Sequence, residues 1–504
     1  MLMTFRLQAA FLPISEKVDL KLDTKQDKDS TEAVLKILKK HGIDKSQFSI
    51  AVRELKSNKT VFNYREKEPH IPASVTKVFT TFFALNILDP KTKFATKLSY
   101  TGKIENGTLK GDLFLTGGGD PYLTNEKLLN LVMHMQAMGI FKVEGNFFFD
   151  QNLFPFFEKI SLVGLEDHTY NSSVSALSSD FNRIRIIRGR KGKFETLPPL
   201  TFLEIDETKE KLGPGEKFQR DYLVSIDQPK TDPENQIDES LVYERWFGSK
   251  KERYANIEEI PLRNPAMYTA SMLDFYAKKF NIQLPYPKPG VTPKKTTEIA
   301  SAYSPTLLEL CKLALYYSNN LIAESLLFHA ATKHAKRPVR NFIDAARVME
   351  QWIKKKFPIL DLDSFKLQNG SGLSSANIVS SADLATFLQL IQSSKFLHRY
   401  YWSILPASAH SGFLRRKFVN NDAGYRIWAK TGSLDYVNNI AGYFFSQNGQ
   451  RYSFSLMFQD LDGRKVVDGP NSSKAEKFRQ QARKWRKITQ NATESILEFL
   501  IQKL

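Results

Sequence analysis

The chain carries one cysteine, Cys311, in 504 residues. No disulfide can form within it, although that count does not decide the redox compartment. No stretch of about twenty apolar residues occurs, so the sequence shows no membrane-spanning helix. The eight histidines are scattered, and His329 with His334 does not make the His-Glu-x-x-His pattern of a zinc hydrolase. A Gly-x-Ser-x-Gly nucleophile elbow is missing, and so is the phosphate-cradling Gly-x-x-x-x-Gly-Lys; Gly117-Gly118-Gly119 lacks the lysine and reads as a turn. Neither a metal nor a cofactor is expected. Acidic residues are the minority, 54 against 72 Lys and Arg, and the net charge of +18 creates a field that attracts polyanions or an anionic envelope surface. Nucleic acid is the generic partner for such a charge and is set aside in favour of the chemistry below.

Three short motifs are present: Ser74-Val75-Thr76-Lys77, Ser318-Asn319-Asn320 and Lys430-Thr431-Gly432. A serine hydroxyl is a weak nucleophile until a base takes its proton, and one helical turn places Lys77 on the face of Ser74. Lysine serves as that base only when neutral. Its free pKa is about 10.4, so the site must lower it by desolvation and by a neighbouring cation, for which Lys430 is the candidate. Val78, Phe79, Phe82, Phe83 and Leu85 surround the following helix on most sides, the pattern of a buried helix. Ser74 is then expected at its N-terminus, where free N–H groups favour developing negative charge. Ser-x-x-Lys alone is also the spacing of an ordinary N-capped surface helix.

Ser318 and Asn320 form a polar break between two apolar helical patterns, Leu307 to Leu315 and Leu321 to Leu327. Either this is a short loop pointing into the fold or a routine N-cap. The third motif lies in a meander: a strand through Lys430, Thr431, Gly432 and Ser433, a second from Asn439 to Phe445, an Asn448-Gly449 hairpin signal, and a third from Tyr452 to Phe458. There a lysine and a threonine hydroxyl can bind a carboxylate, and glycine lets a substrate backbone approach. A lysine on a solvated edge strand is the alternative.

Together the motifs resemble the Ser-x-x-Lys, Ser-x-Asn and Lys-Thr-Gly signature of penicillin-binding proteins and serine β-lactamases. The long separation of Lys77 from Ser318 resembles the low-molecular-mass class C penicillin-binding proteins, the D-alanyl-D-alanine carboxypeptidase and endopeptidase family. Gly117-Gly118-Gly119-Asp120-Pro121, Ser175-Ala176-Leu177-Ser178, Asn264-Pro265-Ala266 and Asn369-Gly370-Ser371-Gly372-Leu373-Ser374 are similar to that family too, over roughly Ser49 to Asp460. Asn319 stands where many members have Asp, Ser433 where many have Thr, and Phe413 where the family's Gly-Thr-Leu stretch has Thr. The resemblance implies acylation of Ser74 with Lys77 as base, and an oxyanion hole from the N–H groups of Ser74 and Ser433. It further implies Ser318 relaying the proton from Lys77, Asn320 on the substrate amide, Lys430 and Thr431 at the terminal carboxylate, and Gly432 and Ser433 along the substrate backbone. Peptidoglycan peptides are the implied substrates, β-lactams the implied inhibitors, and the periplasm or cell envelope the implied location. A β-lactamase, or a non-catalytic wall-binding protein on the same scaffold, are the competing readings.

The expected fold is α/β (α+β): a penicillin-binding, serine β-lactamase-like domain with a central antiparallel sheet flanked by helices and two mainly β inserted subdomains. The catalytic domain is expected over 31–96 and 293–504, one insert over 97–180 and 256–292, and the second over 181–255. Residues 1–30 read as a flexible lead-in or the remnant of an export signal, since the apolar run Ala9 to Ile14 is short for a signal peptide. Pro229 to Asn235 reads as a turn or loop. The basic stretch Lys474 to Lys487 reads as a solvated helix, with peripheral contact to an anionic membrane through Phe478 and Trp485 as the second reading. Ile496, Phe499, Leu500 and Leu504 make an apolar side for docking on the core.

Overall fold

The computed structural model describes residues 26–162, 167–188, 193–200, 202–208, 212, 217–220, 244–249, 257–360, 365–469 and 473–504. Pro229 to Asn235 and most of the N-terminal 30 residues lie outside these. The meander read from the sequence forms three antiparallel strands, Ile427–Leu434, Val437–Phe445 and Arg451–Gln459, and Gly449 makes its hairpin turn at φ +77°. Phe48–Glu54 and Thr60–Tyr64 add to Arg451–Gln459, giving a five-stranded sheet with Ile427–Leu434 at one edge. Every residue from Val437 to Tyr443 is buried because helices cover both faces, which hides the alternation a one-sided sheet would show.

One face carries Tyr443 and Met457 under helix Ser381–Ile391, with Tyr443 Oη donating to Leu388 O at 2.6 Å, and shares its core with helices Lys77–Ile87, Leu307–Tyr317 and Asn320–Ala335. Phe82 sits inside an aromatic cage that includes Trp352, Phe387 and Tyr401, so truncating it to alanine would cost about 3–5 kcal/mol. On the other face Phe454, Leu456 and Phe444 meet Ile496, Leu497 and Leu500 of the terminal helix Ser473–Lys503, which docks as its apolar side requires. Phe478 and Trp485, on the stretch read as a solvated helix, pack on the ring of Tyr436, at centroid distances of 6.2 and 5.9 Å. No helix among the described residues is long and apolar enough to cross a membrane.

Between the nucleophile helix and the second motif, Ala95–Tyr100, which spans position 96/97, pairs with Thr297–Tyr303. They join Leu113–Thr116, Phe147–Asp150 and Pro287–Pro289 in a second five-stranded sheet. Helices Asn125–Ala137 and Pro265–Lys279 add to a separate core. Leu128, Leu131, Val132 and Met135 recur at i, i+3, i+4, i+7 in the first, and Asn264 caps the second by accepting from Met267 N–H at 3.3 Å. Among the described residues three three-stranded sheets complete the insertion, one of them formed by Arg183–Arg188, Phe194–Leu197 and Glu258–Pro261. Fully buried Arg263 donates to Glu158 O and Asn171 O, both at 2.8 Å, and pairs with Asp167 at 3.2 Å. These bonds pin the loop leading to Tyr170, which reaches the site below.

Candidate active site

Ser74 lies in a 3-10 turn, Ala73–Thr76, that runs directly into helix Lys77–Ile87. Ala73 takes φ +48°, a left-handed conformation unfavourable to a residue with a Cβ, and the surroundings hold it there. Thr76 Oγ1 donates to Ala73 O at 2.8 Å. Gly372 at φ +80° crosses so close that a Cβ on it would stand 1.8 Å from the same carbonyl.

Lys77 is wholly buried and its Nζ has three partners: Ser74 Oγ at 3.0 Å, Asn320 Oδ1 at 2.7 Å and the carbonyl of Ser371 at 2.6 Å. Burial holds its pKa well below the usual lysine range; the charge of Lys430 pushes the same way, and Glu324 opposes both. The partners determine what a neutral lysine can do. A neutral amine has two N–H bonds and one lone pair, and the two carbonyl oxygens can only accept. They take the two N–H bonds and leave the lone pair to Ser74, the one partner with a proton to give.

The second motif is the break between helices that the sequence suggested. Ser318 ends Leu307–Tyr317 at φ +52°, and Asn319 caps the next helix by accepting from Ile322 N–H at 3.0 Å. Asp and Asn cap equally well, so either residue can perform this role at 319. Asn320 is oriented by the insertion: its Nδ2 donates to Tyr170 O at 2.8 Å, which turns Oδ1 towards Lys77. Ser318 Oγ accepts from Lys430 Nζ at 3.0 Å, and no bond links it to Lys77 among the described residues. The structure therefore brings Ser318 to the other lysine rather than to the expected one. Burial lowers Lys430 to about 7.

Strand alternation explains the third motif. The outer edge of Ile427–Leu434 is used by a neighbouring loop as far as Ala429, through Ser408 N–H to Ile427 O and Ala429 N–H to Pro406 O, both 2.9 Å. Residues two apart point to the same edge, so the backbone groups of Thr431 and Ser433 face outward where that loop has ended. Gly432 abuts the nucleophile turn: a Cβ there would meet Pro72 O at 2.5 Å and Ser74 N at 3.0 Å. Ser74, Ser318, Asn320 and Ser433 line one open cleft of about 810 Å³, with Tyr170 from the insertion and exposed Phe413 on its walls. Arg483 and Arg486 of the terminal helix also line it, and Arg486 bonds Asp435 at 3.2 Å.

Three contributors carried no assigned role in the sequence: the Ser371 carbonyl, the Tyr170 carbonyl and Glu324. The first two are backbone groups with no side-chain signature. Glu324 had one, as the only charge within the apolar run Leu321 to Leu327.

A serine with a buried, desolvated lysine at hydrogen-bond distance, a second serine–lysine pair and an open strand edge define an acyl-serine hydrolase on a penicillin-recognising scaffold. The match to the D-Ala-D-Ala carboxypeptidase 3 (S13) family over residues 30–195 and 287–477 makes this specific. The chain belongs to that family. It is 25% identical over 441 residues to D-alanyl-D-alanine carboxypeptidase DacB of Haemophilus influenzae, covering 81% of this chain and 84% of that one. The crystal structure of penicillin binding protein 4 (dacB) from the same organism superposes with a TM-score of 0.69 at 22% identity, over 90% of this chain and 99% of that one. The same protein complexed with a novel β-lactam gives 0.64 at 21% identity, over 90% and 99% of the two chains.

Proposed function

We propose that this chain removes the terminal D-alanine from peptidoglycan stem peptides, or opens the equivalent cross-link, through an acyl-enzyme on Ser74. The observation that carries this reading is the set of three partners on Lys77 Nζ, which leaves its lone pair for one hydroxyl. Ser74 Oγ attacks the penultimate D-alanyl carbonyl as its proton passes to Lys77. The outward N–H of Ser433 and that of Ser74 hold the oxyanion, and losing one such donor typically costs about 10²–10³ in rate. The C–N bond breaks as the leaving amine takes a proton through Ser318, which Lys430 supports. Lys77 then gives up the proton it took and Lys430 regains one, by exchange through solvent, which leaves Lys77 neutral again. Water attacks the ester, giving a proton to Lys77 that passes to the departing Ser74 Oγ as the shortened peptide is released as a carboxylic acid.

In this reading Lys430 and Thr431 receive the terminal carboxylate, Gly432 lets the substrate backbone approach, and Asn320 meets the substrate amide with its second N–H. A β-lactam presents a strained amide and a carboxylate at the same spacing, so it acylates Ser74 and leaves slowly. Peptidoglycan as substrate places the working protein in the cell envelope. Intact-protein mass after brief exposure to benzylpenicillin tests the reading: one stable adduct is expected on the native chain and none on Ser74→Ala. An equal adduct on both proteins would overturn it, and drug hydrolysis without an adduct would make the protein a β-lactamase instead.

A further inference from the structure

The mechanism above leaves one buried charge without a task. Glu324 lies one helical turn beyond Asn320 on helix Asn320–Ala335 and is completely buried. Its two carboxylate oxygens accept from successive backbone donors, Oε2 from Gly370 N–H at 3.0 Å and Oε1 from Ser371 N–H at 2.7 Å. Burying a carboxylate is costly, and charge-assisted bonds to both oxygens offset that cost only while the loop keeps this shape. The carbonyl of that same Ser371 accepts from Lys77 Nζ at 2.6 Å. One residue further on, Gly372 presses against Ala73 O beside the nucleophile.

We infer that Glu324 is a positioning residue for the base: it clamps the Gly370-Ser371 backbone so that the Ser371 carbonyl occupies one N–H of Lys77 and the lone pair stays directed at Ser74. This rests on the proposed role of Lys77. An ordinary loop anchor would hold the same backbone without affecting the lysine electrostatically, and the two differ in how the reaction responds to pH. The charged groups facing Lys77 are Lys430 from the sheet edge and Glu324 from the helix, and the loop Asn369-Gly370-Ser371-Gly372 contributes none. Glu324 favours the ammonium, so removing its charge lets Lys77 lose its proton at lower pH.

The test is the pH profile of benzylpenicillin acylation in the full-length protein, for the native chain, Glu324→Gln and Glu324→Asp. The glutamine must turn an NH₂ group towards one of the two N–H donors, which displaces the loop. Its plateau rate should fall about ten- to a hundredfold, the scale of a small misplacement of a reacting group. The acid limb of its profile should move to lower pH while non-covalent drug affinity stays the same. The aspartate keeps the charge but loses reach, so its plateau should drop with the acid limb in its native place. An unchanged plateau in Glu324→Gln, or a lower plateau with an unmoved limb, overturns the inference. If Glu324→Gln does not fold, a native plateau in Glu324→Asp overturns it and a reduced one sustains it. Failure of the native chain to form an adduct at Ser74 would instead condemn the acyl-serine reading beneath it.

Discussion

The hydroxyl of Ser318 lies 3.0 Å from Lys430 Nζ, the same distance that separates Ser74 Oγ from Lys77 Nζ. Each lysine therefore has its own serine, and the two pairs come from three separate stretches of chain. Proton removal from the nucleophile and proton delivery to the leaving amine can use different pairs. Ser318→Ala should slow acylation by about 10²–10⁴-fold, the usual worth of a general acid or base. The adduct should still form at Ser74 on long incubation, as mass measurements over time would show. Acylation at the native rate would remove Ser318 from the mechanism.

Lys77→Met keeps the volume and length of a fully buried side chain but has no proton acceptor of comparable basicity. Acylation should fall by about 10²–10⁴-fold while thermal unfolding remains cooperative. The variant leaves Asn320 Oδ1 and Ser371 O without their partner, so a loss of stability of about 1–3 kcal/mol accompanies it. A methionine variant that acylates normally would exclude Lys77 as the base.

The two buried lysines also make stability depend on pH. Lysine in the unfolded chain titrates near 10.4, whereas burial lowers Lys430 to about 7 and Lys77 well below the usual range. Between about pH 7 and 10 the unfolded chain therefore holds protons that the native chain has released, and the unfolding free energy rises with pH across that window. Below about 7 the contribution of Lys430 is flat, because both states are protonated. Urea midpoints at pH 7, 8 and 9 should increase in the native protein and increase less in Lys430→Met. Identical slopes for the two proteins would show that Lys430 keeps its charge in the fold.

Gly432 is a steric requirement rather than a conformational one. An added Cβ would meet backbone atoms of Pro72, Val75 and Ser74 at 2.5 to 3.0 Å, and none of these is the end of a flexible side chain. Gly432→Ala should push the strand off the nucleophile turn, costing about 1–3 kcal/mol of stability and a larger share of the acylation rate. Calorimetry and adduct kinetics on the same preparation separate the two effects. Native acylation in this variant would mean that the strand can retreat without harm.

Much of this site was legible because its chemistry is concentrated in side chains that only certain reactions require. Ser74, Lys77, Ser318, Asn320 and Lys430 could be named from their motifs, and the meander from its alternation and its Asn448-Gly449 turn. Backbone participants were not legible, since Ser371 and Tyr170 contribute carbonyls that every residue possesses. The pairing of Ser318 with Lys430 was also hidden, because it depends on how a helix end meets a strand edge 112 residues away. The neighbour of two rings on the terminal helix was hidden for a related reason. Phe478 and Trp485 stand beside a basic run that suits solvent or a lipid surface, and their packing on Tyr436 depends on a residue distant in sequence.

The strand Ile427–Leu434 has its outer edge closed by a loop up to Ala429 and open beyond it. An unpaired strand edge is ordinarily a hazard, since any extended chain can complete the sheet and seed aggregation. Here the vacancy lies inside a cleft whose walls come from the insertion, the helix break and the terminal helix. Only a slender chain end can lie down there, whereas the flat side of another folded protein cannot enter. Walls around an open edge thus narrow what can add to the sheet there, a guard against edge-to-edge association.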